Sequence, residues 1–175
     1  MTTPPIRNVT ATVVAIEDLT PDIARVFLRL DEPVVRLAGQ YLEILDGDNA
    51  YAFSIASPPA SGNDLELHVR HGADNPSSLR VMSLLRDSAR VMLRLPQGDC
   101  VLREEPALPL LFIAGSTGFS QVKAFVEHAI AQGWTVPVTV CWGARSAAEL
   151  YLHTLPQQWA RQHAKGGRSK GKARL

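Results

Sequence analysis

The sequence predicts a β + α/β chain, a small antiparallel barrel of six strands followed by a parallel α/β unit. Three observations carry this expectation. Up to about residue 100, short runs alternate apolar and polar residues with period two, and Pro, Gly, Asp and Asn break them. Beyond Pro106 the runs become continuously apolar and lead into helical stripes, as in strands covered by helices. Between the two patterns, Glu104-Glu105-Pro106-Ala107 is a polar break. It divides the chain into residues 1–105, residues 106–164 and a basic tail, residues 165–175.

Asn8–Ile16 places Val9, Ala11 and Val13 at alternate positions, and Thr20-Pro21-Asp22 turns the chain. In Ile23–Leu30, Ala24, Val26, Leu28 and Leu30 share one face and Arg25, Phe27 and Arg29 the other. Gly39–Leu45 and Tyr51–Ser57 flank the turn Asp46-Gly47-Asp48-Asn49. Leu65–Arg70 and Arg90–Leu95 alternate cleanly. Short strands at this spacing make a barrel. One helix interrupts them, with Ser77 or Ser78 as its cap. Its stripe is Leu79, Met82 and Leu85, or else Val81, Leu84 and Leu85.

In the second half, Leu110–Ala114 runs into Gly115-Ser116-Thr117-Gly118 and then a helix over Gln121–Gln132. A strand, a tight glycine turn and a helix N-terminus direct backbone N–H groups at a phosphate or the edge of a nucleotide. The same turn also serves as an ordinary connection. Val136–Trp142 reads as a parallel strand covered on both faces, with Cys141 in the core. Ser146 and Glu149 form a capping box for a helix near Ala147, and Pro156 opens a turn running to about His163.

Composition narrows the function classes. The chain has 175 residues, 46% of them hydrophobic and 20% charged. No apolar run approaches the roughly 20 residues of a membrane span, and the N-terminus has no signal-peptide core. Cys100 and Cys141 match no metal spacing. A cytoplasmic, reduced setting follows. The tail carries Lys165, Arg168, Lys170, Lys172 and Arg174 and no acid. It lacks an aromatic to stack on a base and an apolar face to enter a membrane. It therefore reads as a solvated end, with neither nucleic acid nor membrane as partner.

Four segments in order and spacing resemble the NAD(P)H:flavin oxidoreductases of the ferredoxin–NADP reductase superfamily, most closely the bacterial free-flavin reductases. Gly39-Gln40-Tyr41-Leu42 is similar to the family's G-Q-Y/F strand. Tyr51-Ala52-Phe53-Ser54 resembles its R-x-[YF]-[ST] flavin motif. Ala114–Gly118, followed by Phe119-Ser120, resembles its G-G-T-G nicotinamide loop. Trp142-Gly143-Ala144-Arg145, with Leu150-Tyr151, resembles its W-G-x-R…L-Y segment. The likeness runs from about Ile6 to Ala164.

The resemblance implies a Greek-key flavin barrel and a Rossmann-like nucleotide domain, acting together as an NAD(P)H-dependent flavin reductase. It implies that Ser54 is the partner of flavin N5, a role that suits a small hydroxyl able to donate and accept. Tyr51, Ala52, Phe53, Ser54, His68, Val69 and Arg70 would hold FAD, FMN or riboflavin, with Ser77 and Ser78 either receiving a phosphate or capping the helix. NADH or NADPH would lie against Ala114, Gly115, Ser116, Thr117, Gly118, Trp142, Gly143 and Arg145.

Two positions depart from the family. Tyr51 stands where an arginine is usual, and Ser116 replaces the second glycine. The first fits a flavin that is a passing substrate, with Arg70 as a replacement cation or an ordinary surface charge. Arg145 would meet a 2′-phosphate or remain a surface residue. His68 reads as structural, with no proton transfer assigned to it.

Family members continue with further strands and helices after the point where the likeness stops. The nucleotide domain is therefore expected to be incomplete, exposing Val138 and Val140. Three readings follow. The chain is a monomeric flavin reductase that hands reduced flavin to a flavin-dependent oxygenase; or a reductase module with resident FAD serving such an oxygenase; or an inactive remnant.

Overall fold

The computed structural model describes residues 4–166, with side chains described as far as Gln162. The tail residues Arg168, Lys170, Lys172 and Arg174 lie outside the described residues.

The barrel consists of β1 (Arg7–Thr20), β2 (Ile23–Leu30), β3 (Tyr41–Asp46), β4 (Asn49–Ser54), β5 (Asp64–Arg70) and β6 (Arg90–Gln97). Their order, β4-β3-β6-β1-β2-β5, is antiparallel and Greek-key. The two outer strands meet: Ala56 N–H donates to the Glu66 carbonyl at 2.7 Å, which closes the barrel. Period-two alternation then has only one way to satisfy both faces. Val26, Leu28, Leu42, Ile44, Leu65, Leu67, Val69, Leu93 and Leu95 point inward and are fully buried in a single core.

Helix α1 (Pro76–Asp87) closes one end of the barrel with Val81, Met82 and Leu85. Leu79 stays exposed, so the stripe mixes the two expected sets. The expected serine cap is also corrected. Asn75 is the N-cap, its side chain accepting from Ser78 N–H at 3.1 Å, and Pro76 follows at the first helical position. Asn75 supplies the acceptor two residues before Ser77, and Pro76 supplies a pre-set φ at the first helical position.

The α/β unit pairs β7 (Leu110–Gly115) with β8 (Val138–Gly143) in parallel, from Leu110↔Val138 to Gly115↔Gly143. Helix α2 (Phe119–Ala131) and helix α3 (Thr154–Gly166) complete it. Ala114, Phe119, Val122, Val126 and Trp159 form its core, joined by Phe112, Val138, Val140, Trp142 and Tyr151.

The reading of β8 as covered on both faces is overturned. Val138 and Val140 face the helices, while Leu111, Ile113 and Cys141 lie on the opposite face and are exposed, Ile113 to 76%. Both described helices that pack on this sheet lie on one side of it. The capping box does not form either. Ala147–Glu149 is a single 3-10 turn without a side-chain cap, because Glu149 reaches back to Arg145, whose Nε donates at 3.0 Å.

Gly39 joins the two halves. At φ +97°, it faces the Phe125 ring of α2, and Gln121 Nε2 donates to its carbonyl at 2.7 Å. A Cβ at this position would lie 2.2 Å from Phe125 Cε1 and 2.3 Å from the Cys100 carbonyl. The helix approaches the barrel this closely only because residue 39 has no side chain.

Candidate functional site at the junction of barrel and α/β unit

The barrel's outer face opposite α2 is built from alternate residues. On β4, Tyr51, Phe53 and the following Ile55 pack on the barrel core, so Ala52 and Ser54 point outward. On β5, Leu65, Leu67 and Val69 point inward, so Glu66, His68 and Arg70 share the outer face. Ser54 is half-buried, pairs with Tyr41 across β3, and its hydroxyl bonds to no other described residue.

The glycine loop arrives from the other side. Ser116 lies in the left-handed region at φ +48°, followed by one 3-10 turn, Ser116–Gly118, and then α2. A non-glycine residue in this conformation costs roughly 1–2 kcal/mol, so the strain expected at a glycine sits on Ser116. Gly115 and Gly118 have open space where a Cβ would stand. The Ser116 carbonyl is pinned by Trp142 Nε1 at 2.9 Å, and the Trp142 ring stacks on Phe119 at 3.8 Å and 7°. Trp142 thus holds the loop from behind, and its ring is occupied by this stack.

Other expected site residues fall as follows. The Val69 side chain is in the barrel core, which leaves only its backbone to a ligand. Arg70 pairs with Asp22 at 3.4 Å. Arg80 of α1 lies near Tyr51, and its Nε donates to Asp46 Oδ2 at 2.5 Å. Ser77 is exposed at the start of α1, and Ser78 is buried with its N–H taken by Asn75. Ala114 is buried under α2, and Gly143 and Arg145 are exposed, the latter paired with Glu149.

Between β5 and α2 lies a charged cluster that sequence reasoning missed. Lys123, 5% exposed, donates to Glu66 Oε2 and Glu127 Oε2, both at 2.8 Å. Glu66 Oε1 meets His68 Nε2 at 2.9 Å, and His68 Nδ1 meets the Tyr151 hydroxyl at 2.9 Å. Both ring nitrogens of His68 are therefore engaged, so a ligand could use only its backbone. Burial raises the Glu66 carboxyl, but His68 and Lys123 together outweigh it and hold the group down at about 2. Burial pushes the His68 imidazole below its ordinary value, keeping it neutral, and raises the Tyr151 phenol. Burial also raises Glu127, against the pull of Lys123. Signals for this cluster did exist: Glu66 and His68 at i, i+2 on one strand face, and Lys123 inside the apolar stripe between Val122 and Phe125.

Closed barrel, glycine loop and helix N-terminus together define the ferredoxin–NADP reductase-like fold. A cytochrome P450 reductase from Amycolatopsis superposes with a TM-score of 0.82 at 32% identity, over 96% of this chain and 52% of that one. An NAD(P)H-flavin reductase of Aliivibrio fischeri is 32% identical over 158 residues, covering 87% of this chain and 67% of the relative. A probable flavin reductase of Vibrio harveyi is 37% identical over 142 residues, 79% of this chain. The chain spans 61% of that relative's length. No family model matches the chain. By these likenesses the chain belongs to the NAD(P)H-flavin reductase family.

Proposed function

We propose that the chain binds a flavin on the outer face of β4 and β5 and NAD(P)H against the Ala114–Gly118 loop, and that it reduces the flavin. The observation carrying this reading is that the Ser116–Gly118 turn packs against β5, the strand to which the end of β4 just after Ser54 is joined by the Ala56–Glu66 hydrogen bond. Ser54 and the Ala114–Gly118 loop would hold the two rings, and the bound cofactors would supply the hydride-transfer chemistry.

The residues present fit a flavin. Ala52 and Ser54 leave the outer face of β4 without bulky side chains. The backbone of Tyr51–Ser54 and His68–Arg70 supplies hydrogen-bonding edges, and the Ser54 hydroxyl can donate or accept at flavin N5 as that atom changes role. Arg80 provides, beside Tyr51, the positive charge that Tyr51 lacks. A flavin phosphate would gain from it, whereas riboflavin would not. On the nicotinamide side, open space at Gly115 and Gly118 admits a flat ring close to the backbone. The work of the protein is then orientation: two sites facing each other, with the cofactors carrying the chemistry.

The test is steady-state oxidation of NADH and NADPH by the purified chain with riboflavin, FMN or FAD added. Flavin-dependent oxidation is expected, and its absence with all three flavins would refute the free-flavin reductase reading. A second reading, a reductase module with resident FAD passing electrons to an oxygenase, is favoured by the likeness to the cytochrome P450 reductase over nearly the whole chain. That reading predicts a yellow preparation that keeps its flavin through gel filtration.

A further inference from the structure

We propose that Lys123 is a positioning residue that couples the flavin site to the nicotinamide site. The inference rests on the binding reading above, and it goes beyond it by naming what sets the two sites in register.

The argument starts from connectivity. Glu66 sits on β5 two residues before His68, the start of the His68–Arg70 segment proposed to meet the flavin. Lys123 sits in the second turn of α2, whose N-terminus carries the Ser116–Gly118 turn. Tyr151 follows β8. One carboxylate ties all three elements: Glu66 Oε2 to Lys123, and Glu66 Oε1 to His68, whose other nitrogen reaches Tyr151. A third contact, Lys123 to Glu127 one helical turn on, leaves the ammonium gripped from two sides.

The chemistry of the cluster points to registration rather than simple cohesion. Buried ion pairs lose in desolvation much of what they gain in attraction, and an apolar side chain of similar volume often stabilises as well. What an apolar contact lacks is direction. Lys123 satisfies both carboxylates in one setting of α2 along β5, and a sliding helix would strand a buried charge. Two other contacts of this junction, Phe125 against Gly39 and Gln121 to the Gly39 carbonyl, lie just before β3, a strand that does not pair with β5. Lys123 is thus the charged link from α2 to the β5 side of the flavin site.

Two ligands that meet across this junction should therefore bind cooperatively, and the cooperativity should depend on Lys123 more than either affinity does. The probes are riboflavin, followed by its fluorescence, and oxidised NAD+, which allows binding without turnover. Riboflavin Kd is measured on the full chain with and without saturating NAD+, for wild type, Lys123→Met, Lys123→Arg and Glu127→Gln. Wild type is expected to bind riboflavin about fivefold or more tightly when NAD+ is present, the lower end of typical site-to-site coupling. Lys123→Met should keep the riboflavin affinity measured alone within a few-fold and bring the NAD+ effect close to none. Lys123→Arg should retain most of it.

Glu127→Gln removes only the half-exposed side of the grip, and it decides the matter if Lys123→Met does not fold; it should weaken the coupling without lowering either single affinity. Coupling unchanged in Lys123→Met, or in Glu127→Gln where the former is unfolded, overturns the proposal. Wild type that binds both probes independently also overturns it while leaving the binding reading intact. Wild type that binds neither probe refutes the binding reading itself, and this inference with it.

Discussion

Replacing Gly39 by alanine tests whether the barrel and α2 meet as tightly as described. The new Cβ would fall 2.2 Å from Phe125 Cε1 and 2.3 Å from the Cys100 carbonyl oxygen, both far inside van der Waals contact. The backbone at φ +97° is also a conformation that side-chain-bearing residues avoid, costing roughly 1–2 kcal/mol. Overpacking a close-packed site adds about 1–3 kcal/mol, so the expected loss is about 2–5 kcal/mol. At roughly 2–4 °C per kcal/mol for a chain of this size, the melting temperature should fall by about 4–20 °C. Thermal unfolding followed by circular dichroism at 222 nm measures this. The two clashing partners make the prediction sharper. Phe125 can be trimmed, but the Cys100 carbonyl belongs to the backbone and cannot. Phe125→Ala in the Gly39→Ala background should therefore fail to restore wild-type stability. A Gly39→Ala chain melting within about 2 °C of wild type would falsify the close approach, and full rescue by Phe125→Ala would show the Cys100 contact to be irrelevant.

Ser54→Ala should lower turnover about tenfold or more while leaving riboflavin Kd within a few-fold, as expected for one hydrogen bond that matters during reaction; unchanged kcat removes Ser54 from the mechanism. Arg80→Ala should weaken FMN several-fold more than riboflavin in parallel fluorescence titrations, and equal losses would show that Arg80 does not meet the phosphate. Acid stability should follow Glu66. Its carboxyl, lowered from 4.5 to about 2, contributes about 3 kcal/mol that is present above pH 4.5 and is lost as pH falls toward 2. His68, also lowered, adds to the loss once the unfolded imidazole protonates below its ordinary 6.5. Glu127, raised, works the other way, and its contribution fades as pH rises through its shifted value. Urea unfolding between pH 3 and 7 should show a steep acid limb in wild type and a shallower one in Glu66→Gln; parallel limbs would contradict the ion-pair account.

The barrel was legible because each strand carries its face assignment in its own alternation, as in Ala24, Val26, Leu28 and Leu30. The glycine loop was legible because Leu110–Ala114 changes abruptly into Gly-Ser-Thr-Gly. Three features resisted. A run such as Val138–Trp142 does not reveal how many of its faces are covered, and Cys141 was placed in the core when it faces outward. Local capping signals compete: Asn75 with Pro76 displaced the serines after it, and Glu149 turned to Arg145. The cluster around Lys123 joins residues 66, 68, 123, 127 and 151, and no local pattern brings such distant positions together. Fold follows from short-range periodicity, whereas the electrostatics of this junction arise only once the chain has folded.

The stack behind the glycine loop has an optical consequence. Trp142 lies flat on Phe119 and donates its indole N–H to Ser116, so its surroundings change whenever the loop shifts. Trp134, beside His128 near the far end of α2, is removed from that loop and serves as an internal reference. Indole emission overlaps the absorption of reduced nicotinamide, and a nucleotide at the loop would draw excitation from Trp142 and from Trp159, which packs on the same Phe119 ring. The chain therefore carries its own fluorophore at the place where hydride donor and protein are proposed to meet, and occupancy of that site can be followed without a label.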